Sequence, residues 1–216
     1  MNKLVADKVK QAAEKGFKVL KEGQANILYI EQKLEKDDKG FLKQSGKKKM
    51  ANEVNEVRGA VFYNPVQEFN RDFSISVIRE FVKVRNEEMQ AKKRENDGIR
   101  LLEALAATGL RSVRYLKEIP DIKMLVANDL DPKAVELMEQ NFEFNDCDPL
   151  KYKTYTNDAV HLMNQFAADK EFFDVIDLDP YGSAIPFLES SLASLANGGL
   201  MCVTFTDMAV LCARTP

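Results

Sequence analysis

Tryptophan is absent from this 216-residue chain, histidine occurs once (His161), and cysteine occurs three times, at Cys147, Cys202 and Cys212. One histidine removes most imidazole metal centres and Ser-His-Asp schemes. An odd cysteine count without a C-x-x-C pair supports neither a disulfide framework nor a zinc knot, so no metal site is expected. With only 10 glycines and 7 prolines the chain is neither collagen-like nor wholly disordered. No apolar run approaches the roughly 20 residues of a membrane span, and the opening Met1–Lys10 lacks the apolar region of a signal peptide. The expectation is a soluble intracellular protein of nucleus, cytoplasm or mitochondrion, with no membrane partner. Its chemistry then leans on carboxylates and backbone groups.

What is present is unevenly distributed. Hydrophobic residues make up 45% of the chain, enough for one sizeable core. The net charge of −3 divides into 22 Lys/Arg against 16 Asp/Glu in residues 1–100 and 9 against 18 in residues 101–216. A basic half beside an acidic half suggests a polyanion-facing surface next to a site for a cation. Ordinary solvated surface would give the same imbalance.

The first 30 residues open like a helix and lead through Lys21-Glu22-Gly23-Gln24 into a strand-like Ala25–Ile30. Residues 31–52, with lysines from Lys33 to Lys49, read as a basic loop. Val61-Phe62-Tyr63-Asn64-Pro65 follows as an extended or turn segment. Phe69 to Val84 carries Phe73, Val77, Phe81 and Val84 at helical spacing, which predicts an amphipathic helix, and Arg85–Asn96 predicts a linker.

Beyond it, strands are predicted at Ile99–Leu105, Lys123–Ala127, Lys151–Thr156, Phe173–Leu178 and Leu200–Thr206. Helices are predicted at Ser112–Lys117, Pro132–Phe144 and Ile185–Leu195, with a turn at Asn197-Gly198-Gly199. Such alternation implies a parallel sheet with helices on both faces, which binds ligands beyond the carboxyl ends of its strands.

Three of those ends carry aspartates. Asp129 offers two oxygens to a ribose diol, or caps the next helix. Asp158 could accept from an adenine amine, with the Ala159 amide on a ring nitrogen, or could equally be a cap. The turn Ala106-Ala107-Thr108-Gly109 has one glycine where a dinucleotide fingerprint needs three, so it suits a phosphate-free ligand such as the methionine part of S-adenosylmethionine. Alternation puts Asp177 and Asp179 on one strand face. Asp179 and the Pro180 carbonyl can accept the two N–H bonds of an exocyclic amine, turning its lone pair toward a methyl donor, and Tyr181 offers a face to the base. A structural turn is the plain alternative.

Taken in order, Glu22-Gly23-Gln24-Ala25, Val61–Pro65, Phe69-Asn70-Arg71-Asp72, Ala106–Arg111, Ala127-Asn128-Asp129, Ile176–Gly182 and Val203–Asp207 resemble the tRNA (guanine-26-N2)-dimethyltransferase family. The resemblance implies an α/β fold, a Rossmann-like class I methyltransferase parallel sheet with a small N-terminal extension, whose C-terminal strands and domain are missing. It divides the chain into an N-terminal segment, 1–96, and an incomplete methyltransferase domain, 97–216. The implied activity is methylation, once and then twice, of the N2 amine of a tRNA guanine, with S-adenosyl-L-methionine as donor and tRNA as partner. By the same carry-over Arg71, Arg111, Asp129, Asp158 and Ala159 hold the donor, with Arg114 a weaker candidate. Asp179 and Pro180 are catalytic, and Phe62 and Tyr181 sandwich a base that has left its stack. The alternatives are an amine methyltransferase acting on another nucleic acid and a non-catalytic chain that binds tRNA or a protein partner.

Overall fold

Residues 3–29, 63–93, 95 and 97–206 are described by a computed structural model of the chain. Phe62 and the lysine-rich segment from Lys33 to Lys49 lie outside the described residues.

Side-chain alternation on the strands sorts the core into two layers. Strands β3 (Ile99–Glu103), β4 (Ile122–Asp129), β5 (Tyr152–Thr156), β6 (Phe173–Leu178) and β7 (Leu195–Val203) form a parallel sheet of order β5-β4-β3-β6-β7. Leu101, Leu125 and Val175 point to one face, where α2 (Glu68–Ala91), α3 (Leu110–Glu118) and α4 (Pro132–Phe144) cover them. Leu102, Val126 and Ile176 point to the other, under α5 (Ala159–Ala168) and α6 (Ile185–Ser194). Each fully buried Leu, Ile or Val contributes about 1.5–3 kcal/mol, so these two layers are the main source of stability. The sheet and α4 were legible in the sequence; α5 was foreshadowed only by Asp158 as a possible cap, and strand β1 was not anticipated.

The N-terminal part joins the first layer. Helix α1 (Lys3–Glu14) precedes an antiparallel hairpin of β1 (Lys18–Glu22) and β2 (Ala25–Tyr29), closed by Gly23-Gln24. Ala25 and Ile27 of β2, with Ile75, Ile78 and Val82 of α2, pack into the same cluster as Leu101 and Leu125.

Helix α2 differs from its prediction in two respects. It runs seven residues past Val84 to Ala91, through the stretch read as a linker, because no breaker intervenes and Glu88 pairs with Arg85 and Lys92 one turn away on either side. Its buried side is Arg71, Ser74, Ile75, Ile78 and Val82, while Phe73 and Val84 of the predicted apolar stripe are 62% and 53% exposed. The helix carries apolar residues on two sides, and the one that buries is the one that brings Arg71 to Glu22. At the far edge, β7 starts at Leu195, earlier than predicted. Its register with β6 jumps from Phe173↔Leu195 to Val175↔Leu200, so the Asn197-Gly198-Gly199 turn interrupts the ladder inside the strand.

Gly109 takes the positive φ (+73°) that the strand-to-helix turn demands, and it begins α3. A Cβ there would lie 2.6 Å from Met138 Cγ. Gly109→Ala is therefore expected to cost about 2–4 kcal/mol, combining left-handed strain with overpacking. A lower urea midpoint at unchanged m-value would report it.

Candidate functional site

The parallel strands all end on one side of the sheet, and there a cavity of about 700 Å³ opens between the tips of β3, β4 and β6, the hairpin and the start of α2. Its size is that of a small-molecule site.

The tip of β4 is held by backbone donors. Asp129 Oδ2 accepts the Ala107 N–H at 2.9 Å and Oδ1 accepts the Asp131 N–H at 2.9 Å. The cap of α4 is Asp131, whose side chain accepts from Lys133 N–H, so Asp129 is not the helix cap. Ala107 itself sits at φ +49°, a left-handed conformation unusual for a residue with a Cβ, which bends the turn so that its N–H meets Asp129. Asp158 does cap its helix: its Oδ1 accepts from His161 N–H at 2.9 Å. Neither Asp158 nor Ala159 lines the cavity, although the Asn157 N–H on the Asp129 carbonyl ties the β5 tip to that of β4.

At the tip of β6, Asp179 receives both Nε (3.0 Å) and Nη2 (2.7 Å) of Arg111 on Oδ2. Among the described residues no donor reaches its Oδ1. Arg111 is buried, with Nη1 on Ser74 Oγ at 3.2 Å and 3.5 Å from Asp177 Oδ2. Burial works against its charge, but the carboxylates of Asp177 and Asp179 outweigh that and hold it cationic. Pro180 is buried and Tyr181 is 82% exposed beside the cavity mouth. Asp177 and Asp179 lie on one face as alternation predicts, since a single guanidinium meets both.

A second ionic cluster supports the opposite wall. Glu22, 2% exposed, accepts from Arg71 Nε (2.7 Å) and Nη2 (2.5 Å), Arg114 Nη1 (2.8 Å) and Tyr63 Oη (3.1 Å). Arg71 also reaches the Asn64 carbonyl at 3.2 Å and lies over the Tyr63 ring. Arg71 thus faces the cavity with its back to Glu22. Arg114, the weaker donor-site candidate, is turned elsewhere: it pairs with Glu22, Asp72 and Glu118 and does not line the cavity.

The geometry therefore gathers Arg71, Arg111, Asp129, Asp179, Pro180 and Tyr181 around one space. Two acids that sequence reasoning gave no role bear on it as well, Glu22 from behind Arg71 and Glu103 from the lining. Glu22 lies in a quoted motif, yet its partners are distant in sequence. Glu103, at the end of β3, lines the cavity, and its signal was an acid directly before a run of small residues. Burial, then the charge of Asp177, pushes its carboxyl well above the usual range.

A parallel α/β sheet with its cavity at these strand tips is a Rossmann-like fold, and similarity to a solved methyltransferase makes it the class I methyltransferase kind. The structure of Trm1 from Pyrococcus horikoshii in complex with S-adenosyl-L-methionine is similar to the chain, with a TM-score of 0.66 and 27% identity, covering 92% of this chain and 45% of that one. Over residues 42–216 the sequence matches the N2,N2-dimethylguanosine tRNA methyltransferase family, and the chain belongs to that family. It is 42% identical to the mouse tRNA (guanine(26)-N(2))-dimethyltransferase over 70% of the chain and 29% of the relative. With the mitochondrial tRNA (guanine(26)-N(2))-dimethyltransferase of Saccharomyces cerevisiae it shares 35% identity over 90% of the chain and 36% of the relative. The chain thus spans about a third of the length of these curated relatives.

Proposed function

We propose that this chain carries the methyl-donor site and the amine acceptor of an enzyme that methylates the exocyclic N2 of guanine 26 in tRNA, giving N2-methyl- and N2,N2-dimethylguanosine. The observation that carries the reading is the Asp179 carboxylate, gripped by Arg111 through one oxygen and presenting the other to a cavity walled by Asp129. The cavity fits S-adenosylmethionine on chemistry as well as size. Asp129 is oriented by two backbone amides and keeps lone pairs for a ribose diol. The carboxylates toward its floor suit a cation.

S-adenosylmethionine supplies a methyl group on a sulfonium sulfur. Asp129 would accept the ribose hydroxyls. Arg71 keeps its Nη1 hydrogens, and Arg111 one Nη2 hydrogen, for the amino-acid carboxylate. Asp158 and Ala159, at the neighbouring β5 tip, would take the adenine. Asp179 Oδ1 and the Pro180 carbonyl accept the two guanine N2–H bonds, which turns the nitrogen lone pair out of the ring plane and toward the methyl group. As the C–N bond forms and the C–S bond breaks, the amine loses a proton toward Asp179. Tyr181, with Phe62, would stack on the extruded guanine; unstacking costs a few kcal/mol, which aromatic contact offsets. The compartment would be one that holds tRNA.

Incubation of the chain with donor and a tRNA transcript, followed by nucleoside mass spectrometry, tests this. N2-methylated guanosine confined to position 26 is the expected product. Methylation of another base, or at other guanines only, would contradict the substrate assignment.

A further inference from the structure

Behind the cavity floor, which Glu103 lines, β3 and β6 set Glu103 and Asp177 side by side as register partners, 3% and 1% exposed. Cys202 of β7 is Asp177's partner on the other side. Helix α3 lays Arg111, Ser112 and Tyr115 over this row, and α2 adds Ser74. Ser112 Oγ donates to Glu103 Oε2, and Tyr115 Oη donates to Asp177 Oδ2 at 2.5 Å. The other Asp177 oxygen, Oδ1, is buried and has no hydrogen-bond partner among the described residues.

The charges around this row do not balance if every carboxyl is ionised. Glu103, Asp177 and Asp179 face a single guanidinium, that of Arg111. The remaining titratable neighbours stay neutral: burial pushes the Cys202 thiol up to about 12, and burial followed by the Asp177 charge raises the Tyr115 hydroxyl well above its usual value. Two adjacent buried carboxylates cannot both ionise without a large penalty, so one keeps a proton. Burial raises both, with Glu103 raised the further by Asp177's charge.

We propose that Glu103 and Asp177 share one proton, with Glu103 donating to the otherwise unpartnered Asp177 Oδ1, and that this acid pair is a positioning element of the methyl-donor site. The role rests on the donor-site reading above. The single negative charge of the pair holds Arg111, and Arg111 holds Asp179. The floor then carries the pair at −1, Arg111 at +1 and Asp179 at −1. The resulting unit negative charge matches a sulfonium cation and has no counterpart in a thioether product. A cation above the floor favours the ionised pair, so donor binding draws the pair's proton off at lower pH, whereas the product does so far less.

Carboxyl 13C NMR of the chain, labelled at Glu and Asp side chains, tests both parts. Without ligand, the Glu103 carboxyl is expected to stay protonated through neutral pH, and its signal to vanish in Glu103→Gln, which mimics the protonated form and keeps the fold. In Asp177→Asn, loss of the neighbouring charge should lower the Glu103 midpoint. S-adenosylmethionine should move that midpoint down and S-adenosylhomocysteine should move it less. Titration of both carboxyls in the ordinary range would overturn the shared proton, and equal shifts with the two ligands would overturn its role. If donor moves no resonance at all, the donor-site reading and this role fail together, while the ligand-free titration still decides the proton.

Discussion

Asp179→Ala is expected to lower methyl transfer by about 10²–10³-fold, the usual effect of deleting one preorganised group that acts on the reacting atoms. Donor affinity should fall by a smaller factor, because Asp179 supplies the floor's net negative charge while Asp129 and Arg71 still hold the donor from other walls of the cavity. Arg111 loses two bonds but keeps Ser74 and Asp177, so the substitution leaves the floor supported. Single-turnover rates measured alongside donor binding separate the two effects. A variant that bound donor normally and transferred at the parental rate would remove Asp179 from the chemistry.

Glu22→Ala is expected to carry a large stability effect. Its carboxylate is buried and collects Arg71, Arg114 and Tyr63, and removing one member of a buried ion cluster costs about 3–5 kcal/mol. Arg114 retains Glu118 and Asp72, which puts the expectation at the lower end of that range. The cluster also has a pH signature. Burial alone would raise the Glu22 carboxyl, but hydrogen bonding and charge from Arg71, with Arg114 and Tyr63, hold it below its ordinary 4.5. A carboxyl depressed in the folded state stabilises above its unfolded value, and that contribution disappears as pH falls through the folded one. The parent chain should therefore lose stability below about pH 4.5, and Glu22→Gln should lose less over the same interval. Urea midpoints followed across that interval would show it, and identical profiles for the two proteins would contradict the cluster.

The strands were readable because parallel-sheet strands are short apolar runs between turn residues, as Phe173–Leu178 illustrates. Helix α4 was readable from Asp131-Pro132 onward, and the same pair identifies the cap. Proline at the first helical position makes the preceding Asp131 the cap, which leaves Asp129 for another purpose. The buried face of α2 was not readable, because both of its sides carry apolar residues and packing against the hairpin and sheet selects one. Glu22 was opaque for a related reason. Its partners lie 49 and 92 residues away, and no local pattern encodes such a meeting. The Asp179–Arg111 grip is equally non-local, at a separation of 68. Strand β1, with three charged residues among its five, acquires its partner only through the Gly23-Gln24 turn.

Calorimetric titration of S-adenosylmethionine into the 216-residue chain, with Asp129→Ala as the comparison, shows whether the space at the strand tips holds a methyl donor. One site is expected in the parent chain, with an affinity at least about tenfold weaker in the variant, since two charge-assisted hydrogen bonds to the ribose are worth at least ~1.4 kcal/mol. Equal affinity in the two proteins, or no binding by a folded parent chain, would contradict the donor-site reading.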